Sequence, residues 1–252
     1  MSRRAPTRWG DPTGIGLTGT ENVLADRREA GRLLAERLMP LRADSPLVLA
    51  IPPGGVAVAA EVAGSLGAPL DVLLVGALSL PQLPESAFGF IGEGDTRLPD
   101  VEAMDRAGVT DEELARLESD TRACLMGKGD IYRSGRKPIP VDGRTVIVVA
   151  DGLDNEDFAR AAVRLARAQR ARRVILATPV VTLAALHRLQ ADADDVIGLI
   201  TPTYLVAVGL WYRNFPHMSD NEVIAILRVN AMESAPTPPM TGCRCDRPLP
   251  DR

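Results

Sequence analysis

Apolar runs of strand length alternate with stretches of helical spacing along most of this chain, and that alternation limits the fold more than any other feature. PLVLAI (46–51) precedes VAVAAEVAGSLG, GRTVIVVADG (143–152) precedes DNEDFARAAVRLARAQRA, and RRVILATPVV (172–181) precedes LAALHRLQADA. PLDVLLVGAL (69–78) and DDVIGLITP (194–202) supply two more runs. A near-continuous run of Val, Ile and Leu, as in TVIVV, suits a strand covered on both faces, so the pattern predicts an α/β fold with a mostly parallel twisted sheet flanked by helices.

Ahead of the first strand, ADRREAGRLLAERLMPL places Ala30, Leu33, Leu34, Arg37, Leu38 and Leu41 near a 3.6-residue period, which predicts a helix. The rhythm breaks between about 81 and 140. There, SAFGFIGEG and TRLP read as short extended pieces and TDEELARLESDTRACLMGKGDIYRSG as a polar helix, so this stretch is expected to leave the sheet as a hairpin and helical flap. Such an excursion serves equally as a cover for a binding site or as a packing arm. Residues 1–21 and 232–252 are rich in Pro, Gly, Thr and Arg with little to bury, and are expected to be flexible on either side of a domain spanning 22–231.

The 252 residues carry 29 basic and 33 acidic side chains, net charge -4, with few aromatics, which argues against nucleic acid as a partner. No segment approaches the roughly 20 apolar residues that cross a bilayer, so no membrane association is expected. Three cysteines, Cys124, Cys243 and Cys245, make an odd count that suits a reducing cytoplasm. Cys243 and Cys245 could bind a soft metal, though an incidental pair in a tail is the simpler reading.

Four blocks in order, DRREAGRLLAERL, IPPGGVAVAAEVAGSLGAPLDVLLV, VVADGLDNEDFARAAVRLA and WYRNFPHMSDNEVIAIL, resemble the prokaryotic type I phosphoribosyltransferase-domain family from Val23 to Val229. In that family an acid pair after the key strand holds the ribose hydroxyls of phosphoribosyl pyrophosphate. A Thr-Gly-x-Thr turn at a helix start holds the 5′-phosphate through backbone N–H groups, hydroxyls and the helix dipole. The resemblance places this loop at Ala150, Asp151, Gly152, Leu153, Asp154, Asn155, Glu156, Asp157 and Phe158, with Ala150 and Asp151 in place of the acid pair. Asn155 and Phe158 stand where the threonines belong, and Glu156 replaces the glycine. An arginine usual in the turn after the first strand is missing from Pro52, Pro53, Gly54, Gly55, and a basic pair at the end of the second strand is replaced by Gly76 and Ala77.

These departures all disfavour a polyanion. Asp151, Asp154, Glu156 and Asp157 put four carboxylates within seven residues, with Arg160 the nearby cation in sequence. Two like charges about 4 Å apart repel by about 4 kcal/mol at an effective dielectric near 20, while micromolar affinity is worth about 8 kcal/mol in all. The same acids have a structural reading. Asp154 suits an N-cap with Asp157 at capping-box spacing, and Glu156 and Asp157 complement the helix dipole. They would then occupy the N–H groups a phosphate would use. Asp151, Asp154 and Asp157 could also offer oxygens to a divalent cation, but their spacing matches no calcium loop, and no metal site is expected.

Other chemistries lack motifs. Gly54 and Gly55 read as a tight strand-to-helix turn rather than a dinucleotide loop. No Gly-x-Ser-x-Gly elbow occurs, and His187 and His217 are expected at the surface. Trp211, Tyr212 and Phe215 are expected to seal a core edge or a subunit contact ahead of a helix capped by Ser219 with Glu222.

Two functional expectations follow. In the first, the fold is retained and transferase activity is lost, leaving a binding or interaction module without cofactor, homodimeric as the resemblance implies. In the second, the chain is an active transferase using Asp151 and magnesium, with the missing cations supplied from the flap by Arg133, Arg136 or Lys137.

Overall fold

Strand β6 (Thr145–Val149) lies at the centre of the molecule, buried along its whole length. The computed structural model describes residues 23–80, 87–93 and 96–233. The flexible ends expected at 1–21 and 232–252 lie outside the described residues apart from 232 and 233, and Cys243 and Cys245 lie outside with them.

β6 is flanked by β1 (Leu47–Ala50) and β7 (Arg173–Val180), with β2 (Leu70–Val72) and β8 (Asp195–Ile200) outside them, in the order β2-β1-β6-β7-β8. All four pairings are parallel, as the apolar runs predicted. Successive side chains of a strand point to opposite faces. Val48, Ala50, Ile147, Val149, Ile175 and Ala177 pack in one core, and Leu47, Leu49, Val146, Val148, Val174 and Leu176 in another. The first face is covered by α1 (Arg27–Leu38), α2 (Gly55–Leu66) and α7 (Asp220–Glu233), and the second by α5 (Glu156–Ala168) and α6 (Leu183–Leu189). Two covered faces explain why the strands lack polar alternation. α7 continues to Glu233, just past the boundary expected for the tail.

PLDVLLVGAL is read as one strand and is two. β2 ends at Val72, and β3 (Val75–Leu78) pairs antiparallel with β4 (Gly89–Gly92), which pairs with β5 (Arg97–Pro99) in a separate three-stranded sheet. A continuous apolar run carries no mark of the point where the chain changes hydrogen-bonding partner. The flap is present, with an additional short helix α3 (Val101–Ala107) before the long α4 (Asp111–Arg133). Thr110 and Glu113 form a capping box at the start of α4.

The flap is fastened by buried charge. Arg133 donates from Nε to Asp71 at 2.8 Å, from Nη1 and Nη2 to the two Glu93 oxygens at 2.7 and 2.8 Å, and from Nη2 to the Val72 carbonyl at 3.1 Å. Burial alone would lower the guanidinium pKa, but the bonds and charges of Glu93 and Asp71 outweigh it and raise the value. At the other side Tyr132 donates to Asp220 at 2.6 Å, joining α4 to α7.

Candidate functional site

Because α2 carries the chain from β1 to β2 on one face, and α5 carries it from β6 to β7 on the other, the loops leaving β1 and β6 diverge. The crevice at such a switch point, at the carboxyl ends of the strands, is where open α/β sheets bind ligands. A cleft of about 550 Å³ occupies it, lined by Pro52, Pro53 and Gly54 after β1, by Ala150 to Asn155 with Phe158 after β6, and by Arg27 and Val208 with residues 215–218.

Both loops are held by the backbone. Ile51 N–H donates to the Val149 carbonyl at 2.8 Å, Leu153 N–H to the Val180 carbonyl at 2.9 Å, and Leu153 bridges to Val181 beyond β7. The peptide between Pro52 and Pro53 is cis. Gly55 begins α2 so close to β6 that a Cβ would lie 2.8 Å from the Val149 carbonyl oxygen. The expected role of Gly54 and Gly55 as a tight turn thus has a steric basis.

Sequence reasoning missed the residue that joins these walls. Arg27, at the first position of α1, donates from Nε to Asp151 Oδ2 at 2.8 Å and from Nη1 to the Pro216 carbonyl at 2.8 Å. Its guanidinium lies 3.7 Å over the Phe215 ring, which stacks on Tyr212 with centroids 4.7 Å apart. Tyr212 in turn donates to the Asp151 main-chain carbonyl at 2.6 Å. Burial, with the nearby Asp151 charge, raises the Tyr212 pKa, although Arg27 acts the other way. The signal was present in α1: position 27 falls on the same face as Ala30, Leu34 and Leu38, all buried, and a charge on an apolar face needs a partner. Leu33, expected on that face, is 39% exposed instead.

The loop after β6 caps its helix differently from expectation. Asn155, not Asp154, is the N-cap, and its Oδ1 accepts from the Phe158 N–H at 2.9 Å. The register of α5 is set by burial of Ala159, Ala162, Val163 and Ala166, which leaves Asp154 outside the helix and exposed. Glu156 turns to Arg188 at 2.6 Å and Arg160 at 2.9 Å rather than to the helix end, and Asp157 meets Arg160 at 3.2 Å. The hydrogen bond from Arg188, aided by the charges of Arg188 and Arg160, lowers the Glu156 pKa.

Two expectations about charge change accordingly. Of the four acids, Asp151, Glu156 and Asp157 are ion-paired: Arg160 reaches Asp157 and Glu156, while Arg27 and Arg188, which the local count omitted, come from distant parts of the chain to Asp151 and Glu156. None of the flap cations lines the cleft: Arg133 is locked between Asp71 and Glu93, Arg136 Nε donates to the Arg133 carbonyl, and Lys137 is exposed outside the lining. Gly76 faces α4, where a Cβ would lie 2.5 Å from Thr121 Cγ2.

Other expected positions hold. The Ser219 and Glu222 capping box forms, His187 is exposed on α6, and His217 is exposed at the cleft rim. The flap reaches the site through Phe90, which meets the Phe158 ring edge-on with centroids 6.2 Å apart. Asp151, Asp154 and Asp157 do not converge, and no cluster of three metal-ligating side chains occurs among the described residues. No helix among them is long and apolar enough to cross a membrane.

No protein-family model matches the chain. It is 40% identical over 223 residues to proteins of Mycobacterium tuberculosis strains CDC 1551 and H37Rv that are named as candidate phosphoribosyl transferases. The match takes in 85% of this chain and 50% of each relative, so the chain spans about half their length. The crystal structure of TT1426 from Thermus thermophilus superposes with a TM-score of 0.72 at 39% identity, over 81% of this chain and 97% of that one.

Proposed function

Because this chain belongs to the type I phosphoribosyltransferase-domain family, we propose that it is a member whose cleft no longer binds phosphoribosyl pyrophosphate and now serves as a binding module. The observation that carries this reading is the Arg27–Asp151 pair. Asp151 is what remains of the acid pair at the ribose position, and its carboxylate is held by a guanidinium of the same chain at 2.8 Å. A magnesium ion or a ribose hydroxyl approaching Oδ2 would have to compete with that partner.

The phosphate end of the cleft supports the same conclusion. A phosphate needs free N–H groups and close backbone approach at the start of α5. The Phe158 N–H is taken by Asn155, and Glu156 stands where the family has glycine. Asp154, exposed and adjacent, adds repulsion. Ion pairing of Glu156 and Asp157 removes part of the repulsion expected from the acid count, so the proposed loss rests on the occupied Phe158 N–H and the missing cations more than on net charge.

The homodimer implied by the resemblance belongs to the same proposal, as does a cytoplasmic setting. Tyr204, Val206 and Leu210, exposed between β8 and Trp211, offer an apolar strip for self-association, which sedimentation equilibrium would read. The catalytic side is tested by magnesium-dependent release of pyrophosphate from phosphoribosyl pyrophosphate in the presence of purine and pyrimidine bases. No release above a protein-free control is expected, and turnover with any base would overturn the reading.

A further inference from the structure

Arg27 and Arg133 are both buried arginines tied to an aspartate through Nε, and they differ at one edge of the guanidinium. Around Arg133 every nitrogen has an acceptor, with Asp71 on Nε, Glu93 on both terminal nitrogens and Val72 on Nη2. Arg27 uses Nε on Asp151 and Nη1 on the Pro216 carbonyl, and no acceptor among the described residues is placed on Nη2. Its side chain is 10% exposed and lines the cleft, so the unused edge belongs to the cleft surface.

A mostly buried guanidinium with spare N–H groups favours an acceptor that reaches it. Water can fill that role, but the neighbouring walls favour something larger. Leu153, Phe158, Val208 and Met218 give an apolar lining to a space of about 550 Å³, the size of a small-molecule pocket. The charge at the anchor is already cancelled, since Asp151 neutralises Arg27, and Asp154 at the rim adds a negative charge. A carboxylate placed on Nη2 would therefore face like charge, whereas a neutral carbonyl would not.

We propose that the cleft binds a small uncharged molecule whose carbonyl oxygen accepts from Arg27 Nη2 and whose apolar body lies against Phe158 and Met218. This ligand class rests on the reading that phosphoribosyl pyrophosphate binding has been lost. Arg27 is then a recognition residue as well as the tie between the cleft walls.

Benzamide, benzoate and magnesium phosphoribosyl pyrophosphate, titrated separately into the 15N-labelled full chain, test it by NMR. Benzamide is expected to shift the Arg27 Nε–H and Phe158 amide signals with affinity on the order of millimolar, as befits so small a ligand. Benzoate should bind at least about tenfold more weakly. Arg27→Lys, which keeps the charge and loses Nη2, should weaken benzamide binding by about tenfold. Met218→Glu, which leaves the Arg27 ties in place, should do the same by making the wall polar. Absence of benzamide shifts at these signals, equal binding of benzoate, or unchanged affinity in a folded variant would overturn the inference. If benzamide and phosphoribosyl pyrophosphate are both silent, only this inference falls. Binding of the latter contradicts the reading beneath it.

Discussion

The Arg27 guanidinium and the Asp151 carboxylate meet at 2.8 Å beneath Gly54, so that one ion pair connects the start of α1 with the turn after β1 and the loop after β6. A Cβ at position 54 would strike Asp151 Oδ2 and Cγ and come within 3.0 Å of Arg27 Nε. Glycine is required there by the pair itself, since the backbone is in the ordinary helical region.

Gly54→Ala is therefore expected to cost about 1–3 kcal/mol of stability, the usual range for forcing atoms into a packed site. Urea unfolding measures the cost, and displacement of the Arg27 Nε–H resonance reports the broken pair. A change below about 0.5 kcal/mol, the range of an ordinary surface substitution, would show that the loop yields without strain.

Arg133→Met tests the fastening of the flap. It would leave Asp71 and Glu93 together near the base of α4, with Asp71 buried. Removing one partner of a buried ionic cluster typically costs about 3–5 kcal/mol. Chemical denaturation should show a loss of this order, with hydrogen exchange accelerated across α4 and β4. Exchange confined to its native rate in both elements would contradict the fastening role.

The Glu156 network gives a pH dependence with a definite sign. Its folded pKa lies below the ordinary glutamate value, so its contribution is present above the unfolded pKa and is lost as pH falls through the folded one. Glu156→Gln should accordingly lower the melting temperature at neutral pH. The difference from the native chain should shrink toward zero as the solution is acidified below the unfolded glutamate pKa. A difference that grows on acidification would reverse the sign and exclude the stated cause.

Restoring the loop with Ala150→Asp, Asn155→Thr, Glu156→Gly and Phe158→Thr together should raise affinity for magnesium phosphoribosyl pyrophosphate. A gain to sub-millimolar dissociation constants, worth more than about 4 kcal/mol of binding free energy, would locate the loss in these residues. If affinity stays undetectable while the variant remains folded, the Arg27–Asp151 pair or the missing turn arginine dominates.

Much of the fold was legible because burial on both faces of a parallel sheet writes itself as unbroken apolar strings such as TVIVV and RVILATPVV. Capping was legible where a box is complete, as at Ser219 and Glu222. At Asp154 and Asn155 two good caps are adjacent, and only the packing of Ala159 and Val163 decides between them. The division between β2 and β3 left no trace in the string, since Leu73 and Leu74 are as apolar as their neighbours. The site was half legible. The loop positions could be placed by their strand, but Arg27 and Arg188 lie 124 and 32 residues from the acids they neutralise, a distance in sequence that no local charge count spans.

The central claim meets its most direct test in calorimetric titration of the native full chain with phosphoribosyl pyrophosphate in the presence of magnesium. The structure's occupied helix cap and its Arg27-bound Asp151 predict no saturable heat up to about millimolar ligand, where binding would be worth only about 4 kcal/mol. Saturation in the micromolar range would contradict it.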